Sequence, residues 1–437
     1  MSHFTEDDDV EKIPFDAEPI LRGRAYRPEP EEKPAKRPKA KTSKIVYLCL
    51  LINLVLAIFG CVMFKQIVEI RHNKNSYTYN ISGEQMDLSY ASAKGMLSTV
   101  CVSAANTPDN GGTATKFFSG SMASRGSGVI YELSVLDGSA YIITNAHVIT
   151  HTDSSGNTQI YPYIWILLWD SLTPIKVNEV VGFSTTYDIA VLKIENSEEI
   201  KTSSAVSASI ANSLTAKAGE GVVVIGNSMA RNLRLTTGVV AVEEDVMTSS
   251  GTCGFYLSVS ADVNSGNSGG GLYNAQGELL GIVNAKYLDV NRTTGSLIYK
   301  EVIHGMNYTI PINIAESAAR NIIRANGKVR LASNALVYGT DYGTTDKRAS
   351  LAENGKICTN YTMVMSRDTN GLKSGDEFVS AKYYKNGNQT EVLIDRIFAL
   401  EQIMLDLQAG DEVEFTVLRA GLTCTVTFTA NAAKIVN

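Results

Sequence analysis

Residues 266–270, with the sequence Gly266-Asn267-Ser268-Gly269-Gly270, form the most informative stretch of the chain. Glycines on both sides of a serine allow a tight backbone turn, and such a turn can direct backbone N–H groups toward one point. An oxyanion formed on a bound substrate needs N–H groups in that arrangement. Ser268 is therefore a candidate nucleophile, provided that a base accepts the proton of its hydroxyl group.

Candidate partners for Ser268 lie upstream, each beside a strand-like run. His147 follows the apolar residues 141–143, and Asp188 precedes the apolar residues 189–192. Each segment alone also fits a plainer interpretation, namely a packed histidine, a capping aspartate and a glycine-rich loop. Together they stand in the order His, Asp, Ser, which is the order of the catalytic triad on double β-barrels. The sequence therefore predicts a triad of His147, Asp188 and Ser268.

The chain resembles the HtrA family of serine proteases over roughly residues 95–430. Besides the three triad segments, the likeness is carried by the glycine turn at 126–129 and by the runs at 224–227, 235–240 and 308–312. Gly271 and Ser228 stand where the family usually has proline.

The resemblance implies a chymotrypsin-like double β-barrel protease domain at residues 96–328. In the family's mechanism, His147 accepts the proton of Ser268, and Asp188 orients the imidazole. The backbone N–H groups of Gly266 and Ser268, with Asn267 between them, are expected to form the oxyanion hole.

Asp262 lies six residues before Ser268, which in the trypsin-like pattern is the floor of the primary specificity pocket. An unpaired carboxylate there would favour Lys or Arg in the substrate. HtrA enzymes usually prefer small aliphatic residues instead. Asp262 could equally pair with Lys286 or face solvent, so all three interpretations stay open.

Composition limits the possible functions of the 437-residue chain, which is long enough for two or three domains. Hydrophobic residues make up 44% of it, and the net charge of −6 argues against a nucleic-acid binder. The sequence contains no Cys-x-x-Cys or His-Glu-x-x-His motif, so no metal and no cofactor are expected. Cys358 and Cys424 could form a disulfide or remain separate thiols.

The first 95 residues predict a membrane anchor. Residues 1–44 are acidic at the start and then rich in Pro, Glu and Lys, which is typical of a disordered tail. Residues 45–64 carry no charge and are long enough for a transmembrane helix, followed by a linker at 65–95. Basic residues are more frequent before the span than after it, which predicts a single-pass cell-membrane protein with a cytoplasmic N-terminus and an extracytoplasmic catalytic domain. A buried soluble helix and a cleaved signal peptide are the alternatives.

The fold class expected for the body is mainly β. Short apolar runs separated by Gly, Asn, Asp and Ser turns extend from residue 98 to 314, and residues 314–325 follow as a helix. Residues 329–437 resemble a small α+β PDZ domain, with an amphipathic helix at 399–407 and strands at 412–418 and 423–429. PDZ domains bind C-terminal peptides at a sheet edge, and residues 334–339 are the candidate carboxylate loop. A structural domain that only positions the protease is the alternative.

By resemblance, the chain is expected to be a homotrimeric serine endopeptidase that degrades misfolded envelope polypeptides without ATP, for protein quality control. One alternative is a regulatory protease that cleaves a single signalling partner. Another is a PDZ-based chaperone or binding protein in which proteolysis is secondary.

Overall fold

The structure is a computed structural model. It describes residues 88–108, 112–119, 122–249, 252–294, 297–325, 327–331, 346–352, 356–362, 371–385, 387–431 and 434–436. The predicted tail at 1–44, the predicted span at 45–64 and the candidate carboxylate loop at 334–339 lie outside these residues. Among the residues described, no helix has both the length and the apolar character needed to cross a membrane.

The first half of the protease region is a seven-stranded antiparallel sheet with the order β7-β6-β1-β2-β3-β9-β8. Only Val177 and Asn178 separate the two edge strands β7 and β8 along the chain. The N–H of Val177 donates to the carbonyl oxygen of Ile164, and the N–H of Asn178 donates to that of Lys193. These two bonds bring the β7 and β8 edges of the sheet together, so the sheet is curled like a barrel. The strands are β1 (Thr99–Ala105), β2 (Ser124–Ser134), β3 (Ser139–Thr144), β6 (Tyr163–Leu167), β7 (Ile175–Lys176), β8 (Glu179–Ser184) and β9 (Ile189–Ile194), with β4 (Thr150–Thr152) and β5 (Thr158–Ile160) as a separate hairpin.

The second half closes completely as a six-stranded barrel in the order β10-β11-β12-β15-β14-β13. Strands rich in valine, isoleucine and leucine line its interior, as the alternating apolar pattern predicts. The mainly β protease fold with two barrel-like sheets is therefore confirmed. The strands are β10 (Gly221–Gly226), β11 (Arg234–Ser249), β12 (Thr252–Val259), β13 (Gly271–Asn274), β14 (Leu279–Thr294) and β15 (Leu297–Pro311).

The helices of the protease region are short, except at its two ends. Helix α1 (Ser89–Ser98) begins inside the predicted linker and packs on the second barrel, where the hydroxyl groups of Ser98 and Thr99 both bond to the Tyr273 hydroxyl. The remaining helices are α2 (Ala114–Phe117), α3 (Ala146–Ile149), α4 (Glu198–Lys201) and α5 (Ile312–Arg324), with α5 close to the predicted helix.

In its described part, the C-terminal region contains a four-stranded antiparallel sheet in the order β20-β19-β21-β22 and a single helix. The helix is α6 (Ile397–Asp406), close to the predicted one. Two further two-stranded pairings join β16 to β23 and β17 to β18. The strands are β16 (Val329–Leu331), β17 (Asp346–Ala352), β18 (Lys356–Thr362), β19 (Glu377–Lys385), β20 (Asn388–Leu393), β21 (Glu412–Arg419), β22 (Leu422–Thr429) and β23 (Lys434–Val436).

One apolar cluster connects the second barrel with the C-terminal domain. It contains Ile225 of the barrel, Ile322 of α5, Phe398 of α6 and Phe415 of β21. Because these side chains exclude water from a shared core, burial favours keeping the two regions together. Cys424 and Cys101 are free thiols, and the side chain of Cys358 lies outside the described part.

Candidate active site

His147 and Asp188 form a tight hydrogen-bonded pair. The Nδ1 atom of His147 lies 2.6 Å from Oδ2 of Asp188, and the backbone N–H of His147 donates to Oδ1 at 2.9 Å. Because an ionised carboxylate only accepts hydrogen bonds, Nδ1 carries the proton and Nε2 is left to accept one. The side chain of His147 is half exposed, at 50%, so this second nitrogen can be reached from solvent. This is the arrangement that a general base requires.

The turn between β8 and β9 places Asp188 beside the histidine. Asp188 has a φ of 51°, which lies in the left-handed region and is strained for a residue with a Cβ atom. Its carbonyl oxygen accepts hydrogen bonds from the backbone N–H of Ala146 at 3.2 Å and from Nδ2 of Asn145 at 2.9 Å. These bonds tie the Asp188 turn directly to the start of α3, where His147 lies.

The Asp188 carboxylate also changes the acid–base chemistry of His147. Burial disfavours a charge on the imidazole, but the hydrogen bond and the negative charge of Asp188 outweigh it. The pKa of His147 is therefore raised above its ordinary value. The resulting imidazolium is the species that forms when a histidine takes a proton from a nucleophile.

Ser268 lies in a turn that two glycines make possible. Gly266 has a φ of 94° and Gly269 a φ of 84°, which side-chain-bearing residues rarely adopt. A Cβ atom at Gly269 would also clash with the carbonyl oxygen of Ser127, and one at Gly266 would clash with the carbonyl oxygen of Asn227. The glycine pattern that predicted a tight turn is thus explained by both conformation and space.

Ser127 of β2 fixes this turn against the first sheet. Its buried hydroxyl donates to the carbonyl oxygen of Gly266 at 2.7 Å and accepts from the N–H of Asn227 at 2.7 Å. Its own N–H donates to the carbonyl oxygen of Ser268 at 2.8 Å. Thr144, three residues before His147, donates through its hydroxyl to the Ser127 carbonyl at 2.6 Å. Ser127 therefore connects the histidine strand to the serine turn.

The hydroxyl of Ser268 donates to the backbone carbonyl of Asn284 at 3.0 Å. Between the described side chains of Ser268 and His147 there is no hydrogen bond. Asn284 connects them indirectly, because its Nδ2 donates to Oδ2 of Asp188 at 2.7 Å. The structure thus brings His147, Asp188 and Ser268 into one hydrogen-bonded chain that passes through Asn284.

The predicted oxyanion hole is partly open to a ligand. Within the described residues, the N–H groups of Gly266 and Ser268 have no hydrogen-bond partner. The N–H of Asn267 donates to the carbonyl oxygen of Asn264 at 3.0 Å, so in this arrangement it is occupied. Two of the three predicted positions can therefore donate to an oxyanion.

Asp262 is exposed, and its backbone carbonyl accepts a hydrogen bond from the Thr236 hydroxyl at 2.6 Å. The carboxylate is therefore free to interact with solvent, which was one of the three interpretations. The side chain of Lys286 lies outside the described part. A preference for basic substrates stays a prediction.

Sequence reasoning missed two residues that organise the site. The sequence places Ser127 only in a glycine turn, although a serine between glycines in an apolar strand is a candidate for a buried hydrogen bond. Asn284 directly follows the apolar run 279–283 on the same strand. Its polar side chain is buried there, with 8% of the residue exposed. Burial of that kind requires a partner, and the partner is Asp188.

The chain is similar to known serine proteases. Residues 126–282 match the trypsin-like peptidase domain family. The chain is 28% identical over 310 residues to the serine protease Do-like HtrA of Lactobacillus helveticus, covering 68% of this chain and 66% of that protein. It is 27% identical over 299 residues to the serine endoprotease DegS of Haemophilus influenzae, covering 68% of this chain and 74% of that protein.

Among solved structures, the crystal structure of the serine endoprotease from Yersinia pestis matches with a TM-score of 0.42 and 20% identity. That match covers 81% of this chain and 100% of the other. The chain spans just under two thirds of the Lactobacillus relative's length. Residues 126–282 thus match a trypsin-like peptidase domain, and the chain is similar to HtrA-type serine proteases.

Proposed function

We propose that the chain is a serine endopeptidase in which Ser268 is the nucleophile and His147 is the general base. In the reaction, the Ser268 oxygen attacks a peptide carbonyl while Nε2 of His147 accepts the hydroxyl proton. His147 then donates that proton to the leaving amine, and Asp188 stabilises the charged imidazole throughout. The N–H groups of Gly266 and Ser268 stabilise the oxyanion.

The observation that carries this proposal is the hydrogen-bonded chain from His147 through Asp188 and Asn284 to Ser268. For the reaction, the Ser268 hydroxyl must leave the Asn284 carbonyl and turn toward Nε2 of His147. Serine side chains change between staggered rotamers readily. The bond to Asn284 is a neutral one, so its loss costs only about 1 kcal/mol.

The Ser268→Ala variant tests the proposal most directly. We expect the turnover of an unfolded substrate such as casein to fall by at least ~10⁴-fold, because the residual activity of such sites comes only from binding and the oxyanion hole. A fluorophosphonate probe should label the parent and leave Ser268→Ala unlabelled. Ser265→Ala, which changes an exposed serine in the same loop, is the matched control and should behave as the parent.

Casein cleavage by Ser268→Ala close to the parental rate, with the fold intact by circular dichroism, contradicts the proposal. Labelling of both variants would assign the reactive group to another residue.

We further propose that this activity serves quality control of misfolded envelope proteins at the outer face of a cell membrane. The uncharged stretch at 45–64 supports the anchor, and the resemblance to HtrA proteases supports ATP independence, a homotrimer and a PDZ-like domain that binds C-terminal peptides.

Three measurements test these roles. Degradation of many unfolded proteins, and not of a single partner, distinguishes quality control from a narrow signalling protease. Light scattering on the full-length chain tests the trimer, and sequencing the cleavage products of a mixed peptide library tests the basic preference suggested by Asp262.

A further inference from the structure

The only helix described in the C-terminal domain, α6, is surrounded by protein on every side. Residues 398–407 are all buried, including the polar side chains of Glu401, Gln402 and Asp406. The sequence predicted an amphipathic helix at 399–407. Its polar face lies against the protease region, mainly against α5.

The charged groups at both ends of α6 have opposite charges or carbonyl groups as partners. Arg396, which is 1% exposed, donates to the Ala216 carbonyl at 2.6 Å and to the Glu243 carboxylate at 3.2 Å. Asp406 accepts from the Arg320 guanidinium at 2.6 Å, and Lys385 lies 3.5 Å away. Buried charges that are paired in this way are tolerated in a protein interior.

Glu401 in the middle of the helix is different. Its Oε1 atom accepts a hydrogen bond from the hydroxyl of Tyr187, while Oε2 has no partner among the described residues. The residue is 6% exposed. Burial raises the pKa of Glu401 to about 8, although the Tyr187 hydroxyl acts in the opposite direction. Burial therefore favours the uncharged form of this carboxyl group.

The partner of Glu401 directly precedes the aspartate of the active site. Tyr187 and Asp188 occupy the same turn between β8 and β9, and Asp188 has the strained φ of 51°. Strained backbone persists only where the surrounding structure fixes it. On one side Asp188 is fixed by Asn145, Ala146 and His147. On the other side the turn is fixed through the Tyr187 hydroxyl.

We propose that Glu401 is a positioning residue, which acts through Tyr187 to fix the turn that presents Asp188 to His147. The C-terminal domain thereby completes the geometry of the acid–base pair. Its catalytic meaning rests on the proposed function, but the positioning itself can be measured without any activity. If the turn relaxes, Asp188 moves away from the imidazole, and the hydrogen bond and charge that raise the pKa of His147 weaken.

The test is a pH titration of His147 in the full-length chain, followed by NMR with ¹³C-labelled histidine and assigned with a His147→Asn variant. Tyr187→Phe and Glu401→Ala each remove one side of the bond. We expect both to lower the pKa of His147 by about 0.5–1 pH unit. This is the size of shift that corresponds to the loss of a hydrogen bond of about 1 kcal/mol. Glu401→Gln keeps an uncharged acceptor for Tyr187 and should retain the parental titration.

Ser317→Ala is the matched control, because it removes a 2.7 Å bond to Asp406 at the other end of the same helix pair. It should leave the His147 titration unchanged. If the titration shifts in all variants, including this one, the interface has loosened generally and the proposal is overturned. A parental titration in folded Tyr187→Phe also overturns it, even if Glu401→Ala fails to fold. An inactive parent with the expected shifts would contradict the proposed function alone, while leaving the positioning role supported.

Discussion

The two halves of the candidate site are built differently. The first sheet supplies His147 and Asp188, whose side chains already contact each other at 2.6 Å. The second barrel supplies Ser268, whose backbone is fixed by Ser127 but whose hydroxyl bonds to the Asn284 carbonyl. The proposed acid–base pair is therefore already hydrogen-bonded, whereas the hydroxyl of the proposed nucleophile, Ser268, points to the Asn284 carbonyl.

For the proposed reaction, this asymmetry places the required change in the serine half. No segment of the His147–Asp188 half needs to refold, since its hydrogen bonds are in place. The change required is the rotation of one hydroxyl group in the serine half. Substrate binding at the free N–H groups of Gly266 and Ser268 would bring the carbonyl to the same turn and favour that rotation.

The largest effect on activity is expected from a substitution that breaks the His147–Asp188 pair. Asp188→Asn replaces the acceptor of the Nδ1 proton by an amide, and such a change in triads costs about 10⁴-fold in kcat. The substitution also removes the groups that raise the pKa of His147, so burial should lower it and the acid limb of the kcat/KM profile should move to lower pH.

Measurements of kcat and kcat/KM between pH 5 and 9 test both effects of Asp188→Asn. Asp170→Asn, an exposed aspartate that bonds to Ser204, is the control and should leave rate and profile unchanged. An unchanged acid limb in Asp188→Asn would show that the 2.6 Å contact does not govern the titration of the imidazole.

An intermediate effect is expected from loosening the serine half. Ser127→Ala leaves the Asn227 N–H and the Gly266 carbonyl without their buried partner, at a cost of about 1–3 kcal/mol for each group. Because the oxyanion donors lie in this turn, we expect kcat to fall about 10–100-fold with little change in KM. Ser103→Ala removes a buried serine of neighbouring β1 that bonds to the Phe117 carbonyl, and its kcat should stay parental.

Steady-state kinetics together with thermal melting distinguish a loosened turn from general instability in Ser127→Ala. If the melting temperature falls equally in Ser127→Ala and Ser103→Ala and kcat is unchanged in both, the serine turn does not depend on Ser127.

The smallest effect should come from the residue that joins the two halves. Asn284→Ala removes the side-chain bond to Asp188 but keeps the backbone carbonyl that accepts from Ser268. Loss of one hydrogen bond to a carboxylate, about 1.5 kcal/mol, predicts roughly a tenfold fall in kcat/KM. Fluorophosphonate labelling rates provide the measurement, with Asn274→Ala on β13 as the control for losing an asparagine from a strand of the same barrel. A parental labelling rate in Asn284→Ala would show that Asp188 needs no support from the second barrel.

The sequence allowed the prediction of the reacting groups but not of their supports. His147, Asp188 and Ser268 could be identified because each lies at a strand edge and the three follow a recognised order. Their supports, Ser127 and Asn284, act through hydrogen bonds between segments far apart in the chain, and no local pattern encodes such pairings. The strand before His147 ends at Thr144, and the histidine itself lies on the short helix α3 that follows.

The helix at 397–406 shows the same limit for burial. Its alternation of polar and apolar residues predicted an amphipathic helix, but this pattern does not show whether the polar face contacts water or polar groups of the protein. Gln402 bonds to Asn313 and Asp406 bonds to Arg320, so both polar positions are satisfied inside the protein. Only the positions of the two domains relative to each other could reveal this.

The burial of α6 has a practical consequence for how the chain can be divided. A truncation after residue 328 would seem natural from sequence, since it separates the catalytic segment from the C-terminal domain. It would also strip α5 of the neighbours that bond to Asn313, Ser317 and Arg320, and it would open Ile322 to water. We therefore expect fragments that end at residue 328 to be poorly soluble.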